Sequence, residues 1–499
     1  MCEEKRKKFT KYNSEIGDTI AAISTPPGEG GIGIIRISGF KSLAIMEEVF
    51  TPANPSGNDK GDPECGDERG MEGDKPIRRE GFKPRHAYFG TVHDENGDEI
   101  DEAICLFMKA PHTYTCEDMC EIQAHGSMVS LRMILGAVIR RGARLAEPGE
   151  FTKLAFMNGR IDLSQAEAVM DIISAKAYMP HDIAVKQLGG ALGNEIEDIR
   201  SEIRDILAQM TVNIDFPDED IEEAEYSELE ASVQTEMNRI SRLRTSADTG
   251  RIARDGIRAA IVGKPNVGKS SFLNAVLGAE RAIVTDLPGT TRDTIEEAAS
   301  VQGVPIILTD TAGMRDTGDK IERIGIDRAR DAMYSADIVI FVMDGSTKLT
   351  EEDFGIMNEM NNMEGKVSGL IAVINKEDLG TAFSEEEISE RLPNAVIMRT
   401  SLKEYGGERK VVEQILKTVL SGEIKSEMGN IIMNERHADA LMRAEAEISD
   451  GLKAIRSGQA LELAEIPIHA SYDALGEIIG MTAGDEILDT VFSKFCLGK

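Results

Sequence analysis

The sequence predicts a multidomain chain that mixes α/β and α+β classes: an N-terminal α+β domain, then a helical domain interrupted by an inserted α/β domain. Three observations carry this reading. Short strand-like apolar runs alternate with helical stretches over residues 18–157. From residue 161 the apolar residues recur in steps of three and four. Between residues 257 and 421 that spacing gives way to strand-like runs that end in polar and glycine-rich loops, and helical spacing returns afterwards. At 499 residues the chain has room for about three domains.

Residues 1–17 are polar and are predicted to be a flexible extension. The N-terminal domain, 18–157, carries strand-like runs at Thr19–Ala22, Gly33–Ile37 and Ile104–Met108. Within it, residues 52–84 are rich in Gly, Asp, Pro and Glu and poor in apolar residues, the composition of a disordered insertion. Residues 158–256 form the first part of the helical domain. There Ile196, Ile199, Ile203, Leu207, Met210 and Ile214 make one stripe of a helix. Phe216-Pro217 breaks it, because proline disfavours helix in the residue before it. Another helical stretch covers 227–247. Residues 257–421 form the inserted domain. Residues 422–499 complete the helical domain, with Leu441, Ile448, Leu452 and Ile455 back at helical spacing. An insertion whose ends lie close together is well tolerated. It also leaves the inserted domain two covalent hinges to its host.

The inserted domain carries the chemistry. Residues 263–270 read Gly-Lys-Pro-Asn-Val-Gly-Lys-Ser, between the strand-like run Ile257–Val262 and the helix-like run Ser271–Leu277. This is a phosphate-binding loop in the context that loop needs. Gly263 and Gly268 permit close backbone approach. Asn266, Val267, Gly268, Lys269, Ser270 and Ser271 are the expected nucleotide contacts, with Lys269 on the β- and γ-phosphates and Ser270 on Mg²⁺. Asp310-Thr311-Ala312-Gly313 follows the apolar run Val304–Leu308. Asp310 suits the Mg²⁺ side, and Gly313 suits a backbone N–H on the γ-phosphate. Asn375-Lys376-Glu377-Asp378 follows Leu370–Ile374. Asp378 there accepts from the ring N1–H and exocyclic amine of guanine, whereas adenine would leave it unpaired. Ser401-Leu402-Lys403, after Ala395–Met398, fits the remaining base-side loop. Each motif is weak alone. Four in this order imply a guanine nucleotide.

Two positions narrow the catalytic scheme. Met314 follows Asp-Thr-Ala-Gly, where small signalling GTPases carry the glutamine that orients the attacking water. Another polar group must then supply that contact, or hydrolysis is negligible. Asn266 lies inside the loop, and Thr285-Asp286-Leu287-Pro288-Gly289-Thr290-Thr291-Arg292-Asp293 lies downstream, with Thr291 placed to complete Mg²⁺ coordination. An Asn amide oxygen with loop carbonyls makes a hard oxygen cage suited to a monovalent cation. A K⁺ there would supply the positive charge that an arginine finger supplies elsewhere. Asn is also an ordinary turn residue.

The inserted domain resembles the Era/MnmE-like branch of translation-factor-related GTPases. Other stretches resemble one family within that branch, the MnmE (TrmE) tRNA uridine modification GTPases. They are Thr25-Pro26-Pro27-Gly28-Glu29-Gly30-Gly31, Glu121-Ile122-Gln123-Ala124-His125-Gly126, Pro148-Gly149-Glu150-Phe151-Thr152, Asn158-Gly159-Arg160-Ile161-Asp162-Leu163 and the terminal Phe495-Cys496-Leu497-Gly498-Lys499. The resemblance implies an inserted P-loop (Ras-like) G domain and an N-terminal folate-binding domain that also dimerises. It implies that Glu322 orients hydrolysis, which answers Met314. It maps K⁺ to Asn266, Thr285, Leu287 and Thr290, adds Thr285, Thr290 and Thr291 to the GTP contacts, and implies activation by G-domain dimerisation. It maps a tetrahydrofolate derivative to Arg36, Glu121, Arg160 and Lys499. Some relatives carry lysine at the Arg160 position; the charge is kept but the geometry differs. Cys496 is the candidate nucleophile or acid/base beside the one-carbon donor; a cysteine is otherwise a small buried apolar residue. The partner implied is an MnmG (GidA)-type flavoprotein that carries FAD.

The formal charge is −32, and Lys5-Arg6-Lys7-Lys8 is the densest basic run. A protein that gripped RNA phosphates alone would show a basic face. If tRNA is the substrate, a basic partner carries much of the grip. The six cysteines make no C-x-x-C pair, so a zinc site is not expected. The start is charged, and no run approaches about 18 apolar residues, so a cytoplasmic, non-membrane protein is expected. The leading expectation is a GTP-hydrolysing, homodimeric subunit of a tRNA wobble-uridine modifying complex. The alternative is an Era/Der-like ribosome-assembly switch.

Overall fold

The structure is a computed structural model that describes residues 18–53, 82–215, 223–279, 296–310, 332–363, 367–403, 406–419, 431–496 and 498. The expected extension at 1–17 and most of the expected insertion at 52–84 lie outside these. The chain divides into two compact units, Met1–Ala166 with Ala483–Lys499, and Glu167–Thr482. Helical spacing assigns 422–499 to the helical domain; the contacts instead group the last seventeen residues with the N-terminal unit.

The first unit is built on one sheet. Its strands are β1 (Thr19–Ile23), β2 (Gly30–Ser38), β3 (Phe50–Pro52), β4 (Ala87–His93), β5 (Glu99–Met108), β6 (Met119–Gly126) and β7 (Ala143–Leu145), in the order β3-β4-β5-β6-β2-β1-β7. Neighbours are antiparallel except β1 and β7. Strand alternation sends Ile35, Ile37, Cys105 and Ile122 to one face. Helices α1 (Ser42–Val49) and α2 (Met128–Arg140) cover that face with Ile45, Met46, Leu131 and Ile134. The same alternation leaves Arg36 and its cross-strand partner Glu121 on the other face. There Ile20, Ala22 and Phe151 form a smaller core under α3 (Glu150–Met157). The C-terminal helix Asp485–Ser493 buries Leu488, Val491 and Phe492. Phe492 lies 6.2 Å, ring centre to ring centre, from Phe156 of α3. That contact and the Lys153–Asp489 ion pair tie this helix to α3.

In the second unit, α4 (Leu163–Ser174), which begins in the first, leads to α5 (Tyr178–Leu188), α6 (Ala191–Asp215) and α7 (Glu223–Asp255). On α6 the predicted stripe is buried at Ile196, Ile199, Ile203 and Met210. The chain then builds a six-stranded sheet. Its elements are β8 (Ile257–Val262), α8 (Lys269–Ala279), β9 (Glu296–Val301), β10 (Val304–Asp310), β11 (Ile338–Asp344), α9 (Glu351–Asn361), β12 (Gly369–Asn375), α10 (Glu385–Ser389), β13 (Val396–Arg399) and α11 (Gly407–Val419). The order is β13-β12-β11-β8-β10-β9, parallel except for β9. Strands buried on both faces explain runs such as Ile338–Met343 with no alternation. Finally α12 (Glu435–Arg456) and α13 (Leu461–Ile479) pack with α6 and α7, burying Leu441, Ile448, Leu452 and Ile455.

The sheet and the helices share a core. Met179 and Ile183 of α5 and Ile252 of α7 pack with Val301, Ile306, Ile431 and Met433. Met179 N–H donates to Gly303 O at 2.8 Å, and Gln187 Nε2 donates to Ile431 O at 2.7 Å. Where the chain leaves the sheet for α12, Glu167 accepts from Asn434, Arg436 and His437 at 2.6–3.0 Å. Burial alone would raise the Glu167 carboxyl, but His437 and Arg436 outweigh it and hold it down to about 2. Asp171, one helical turn on, fares oppositely. Burial, with repulsion from Glu167, pushes it up to about 6 against the attraction of His437 and Arg254. Among the described residues, no helix is long and apolar enough to cross a membrane.

These two carboxylates give opposite pH dependences. Glu167 stabilises the fold above its ordinary range, and that contribution is lost as pH falls toward 2. Ionised Asp171 destabilises the fold above pH 6, and that cost fades as pH falls from 6 toward 4. Asp171→Asn is expected to raise stability by on the order of 2–3 kcal/mol at pH 7.5. Urea unfolding at pH 7.5 and 4.5 checks this; an equal gain at both values contradicts it.

Candidate functional site

The first cluster lies at the C-terminal ends of the parallel strands, where open α/β sheets bind ligands. β8 ends at Val262 and the loop 263–268 leads into α8. Gly263 and Gly268 have φ of +143° and +113°. A β-carbon on Gly263 would lie 2.3 Å from Val342 O, and one on Gly268 would lie 2.3 Å from Asn375 Nδ2. The glycines are therefore required by neighbouring strands as well as by the turn. Asn266 is left-handed, at φ +66°. Buried Lys269 donates from Nζ to Gly263 O and Lys264 O, both at 2.6 Å, so its ammonium is centred in the loop. Ser270 and Ser271 are exposed on the first turn of α8. Helix start, loop amides and centred ammonium fit a polyphosphate.

The base-side loops are tied to this loop. Asn375 Nδ2 donates to Val267 O at 2.7 Å, and its Oδ1 accepts from Leu402 N–H at 2.9 Å. Lys376 Nζ bridges Asn266 O at 3.1 Å and Asp344 Oδ2 at 2.6 Å. Ser401 Oγ donates to Asp378 Oδ1 at 2.8 Å, orienting an otherwise exposed carboxylate. The structure thus brings together Asn266, Val267, Gly268, Lys269, Asn375, Lys376, Asp378, Ser401 and Leu402. β10 ends at Asp310, in register with Ile261 just before the loop. The Asp310 side chain lies outside the described residues, as do Thr285, Leu287, Thr290, Thr291, Thr311, Ala312, Gly313, Met314 and Glu322.

Sequence reasoning missed Asp344. Burial would raise its carboxyl, but the bonds from Lys376 and Ser346 outweigh that and hold it below the usual range. The signal was present: Asp344 ends an apolar strand-like run and precedes Gly345-Ser346. Lys264 was also passed over; its Nζ pairs with Asp353 Oδ2 at 2.5 Å and fixes the outer side of the loop against α9.

The second cluster lies within the first unit. Arg36 donates from Nε and Nη2 to Glu121 Oε1 at 3.0 and 2.9 Å. Its guanidinium carbon lies 5.4 Å from the Tyr114 ring centre and 5.7 Å from that of Phe151. The Arg160 guanidinium carbon lies 4.5 Å from the same Tyr114 ring. Two of the four expected folate residues therefore meet on one tyrosine, with a third, Glu121, bonded to Arg36, and two cations beside a carboxylate suit a ligand with acidic and N–H groups. Lys499 lies outside the described residues. Cys496 is exposed, and its carbonyl accepts from Gly149 N–H at 3.5 Å. Gly498 O accepts from Ser24 Oγ at 2.9 Å, which places Gly498 against the segment that follows β1. His125 is exposed and bonded to Asp101, which raises its pKa.

Comparisons with known proteins bear on both clusters. A family model described as the GTP-binding protein TrmE N-terminus matches residues 19–160, and the MnmE helical domain model matches 163–496. The chain is 42% identical to a tRNA modification GTPase MnmE of Clostridioides difficile over 97% of its length and 100% of the relative's. It is 43% identical to that of Pediococcus pentosaceus over 97% and 98%. A solved structure of Aquifex aeolicus Era bound to GDP·AlF4⁻ covers 38% of this chain and 65% of its own, at 28% identity and a TM-score of 0.26. A phosphate loop joined to guanine-side loops on a parallel sheet defines the class: this is a GTPase. The matches across both units are specific enough to name the family. The chain belongs to the MnmE family of tRNA modification GTPases.

Gly268→Ala tests the joint between the loops. Its β-carbon would displace Asn375 Nδ2, so guanine-nucleotide affinity is expected to fall about 10- to 100-fold. Gly278→Ala, with nothing within 4 Å of the added atom, is the control. A fluorescent GTP analogue titration checks both; equal affinities would contradict the packing argument.

Proposed function

We propose that this chain is the GTP-hydrolysing subunit of a complex that places a (carboxymethyl)aminomethyl group on C5 of wobble uridine in tRNA. The one-carbon unit comes from a tetrahydrofolate, which would supply it when bound at the formaldehyde oxidation level, that of the C5 methylene carbon. The observation that carries this reading is the meeting of Arg36 and Arg160 on the Tyr114 ring, with Glu121 bonded to Arg36, in a different compact unit from the nucleotide loops. Two candidate sites of different chemistry in one chain fit coupled hydrolysis and modification better than a switch alone. An Era/Der-like ribosome-assembly role leaves the N-terminal cluster without a task.

In this reading Lys269 and the amides of 263–270 hold the phosphates, and Ser270, Thr291 and Asp310 serve the Mg²⁺ side. Asp378 accepts from guanine, and Ser401 keeps it turned toward the base. Asn266, Thr285, Leu287 and Thr290 hold K⁺, which offsets charge developing on the phosphates. The Asn266 amide is exposed and makes no hydrogen bond among the described residues, as an ion ligand requires. Glu322 orients the attacking water. Two copies of the G domain close on each other to complete this arrangement. Arg36 and Glu121 address the pterin ring, Arg160 and Lys499 address anionic groups, and Cys496 acts beside the one-carbon donor. The complex is cytoplasmic. An MnmG-type flavoprotein partner brings FAD and, given the charge of −32 here, most of the grip on tRNA.

Mass spectrometry of tRNA from cells lacking this chain tests the reading: wobble uridines are expected to lose the C5 group, and unchanged tRNA would overturn it. Cys496→Ser is expected to reproduce that loss while sparing GTP turnover; normal modification would leave Cys496 without a chemical role. Glu322→Ala is expected to keep GTP affinity and lose most hydrolysis, and Na⁺ in place of K⁺ is expected to slow the native chain. Turnover assays that find no change with the variant or the ion swap would remove the corresponding assignment.

A further inference from the structure

Two guanidiniums share the Tyr114 ring, but they are bonded differently. Arg36 is committed to Glu121 through two nitrogens and is mostly buried. Arg160 is exposed and, among the described residues, makes no ion pair and no side-chain hydrogen bond; its guanidinium rests on the Tyr114 ring. Among the described residues no carboxylate pairs with Arg160. The ring face supplies the attraction in its place, through the π-system's negative face.

The mounting is rigid on both sides. Tyr114 is pinned at its hydroxyl by Thr152 Oγ1 of α3, 2.9 Å away. Its loop is held by Asn158 Nδ2, which donates to Thr115 O at 2.6 Å, and by Ser38 Oγ, 2.7 Å from Thr115 Oγ1. Arg160 leaves the end of the same α3. There Gly159 is left-handed at φ +71°, and Arg160 N–H donates to Ala155 O at 2.9 Å, closing the helix and fixing where the side chain departs. One helix thus holds the tyrosine and launches the arginine.

We propose that Tyr114 is the positioning residue of the N-terminal site: its ring presents the Arg160 guanidinium as a flat, unpaired fork that takes a carboxylate of the ligand through two parallel N–H···O bonds. This rests on the folate reading above and assigns the glutamate carboxylate as the group held. A planar fork suits a carboxylate better than a lysine ammonium does. The Arg36–Glu121 pair, around the same ring, is left for the heterocycle.

Calorimetry on the full chain tests this with two ligands, 5-formyltetrahydrofolate and the same molecule lacking its glutamate. The native chain is expected to prefer the glutamate-bearing ligand about tenfold. Tyr114→Phe keeps the ring face and is expected to keep that preference. Tyr114→Ala is expected to lose it while still binding the truncated ligand, more weakly than the native chain because Arg36 shares the ring, an outcome a general folding defect would not give. Arg160→Gln, at an exposed position that leaves the fold intact, is expected to lose the preference as well. Full preference in either Tyr114→Ala or Arg160→Gln overturns the proposal. A native chain that binds both ligands equally also overturns it but leaves the folate reading standing. A native chain that binds neither overturns the folate reading, and this proposal with it.

Discussion

Both ends of the Asn375 amide are used inside the protein, and the nucleotide end of the sheet depends on it. Its nitrogen closes on Val267 O in the phosphate loop and its oxygen receives Leu402 N–H from the base-side loop. The residue is almost fully buried, so neither half can exchange its partner for water. One side chain therefore sets the distance between the loop that would meet phosphate and the loop that would meet the base. Gly268 is the complement of this constraint, since no larger residue leaves room for the amide. Lys376, the next residue, repeats the device with a charge, tying the phosphate loop to the end of β11 through Asp344.

A second constraint operates where the sheet is joined to the helices. The chain enters the sheet after α7 and leaves it at Ile431–Met433, and both crossings are buried in one core. Glu167 gathers Asn434, Arg436 and His437 at the exit. Buried ion clusters stabilise little by themselves, but removing one member leaves an uncompensated charge. Here the cluster fixes a junction: the helix N-cap Asn434 also donates to Glu167, so the start of α12 and the direction of the exit are set together. Asp171 beside it is poorly accommodated, which marks the cluster as charge-tuned rather than simply neutralised.

Much of the nucleotide site was legible because its signals are local. Each expected loop follows an apolar run: β8, β10 and β12 end at or next to the start of their motifs, and β13 ends two residues before Ser401. The α6 stripe was legible for the same reason, since helical period writes itself into consecutive residues. What escaped is what needs distant partners. Asp344 is an ordinary strand end until Lys376 reaches it across the sheet. Tyr114 looks like a loop aromatic until a helix some forty residues on brings Thr152 and Arg160 to it. The grouping of the C-terminal helix with α3 rests on distant contacts such as Phe492 with Phe156 and Asp489 with Lys153, and helical spacing carries no information about which helix is met. The motifs at 285–293, 311–314 and 322 rest on sequence alone.

The geometry also bears on how the sheet and its host are joined. The β9–β10 hairpin lies in the chain between the Thr285–Asp293 stretch and the Asp310-Thr311-Ala312-Gly313 motif. It is also the part of the sheet that α5 grips, through Met179 N–H on Gly303 O and Met179 in the shared core. From the far end of α5, Gln187 reaches the exit segment at Ile431, and Ile432 N–H is held in turn by Ser246 Oγ of α7. A contiguous set of short bonds thus runs from the hairpin through α5 to the two crossings between sheet and helices. Close-packed elements do not deform continuously; they shift as bodies. These bonds join the hairpin turn at Gly303, the end of β10 opposite Asp310, to the helices through α5 and the exit segment.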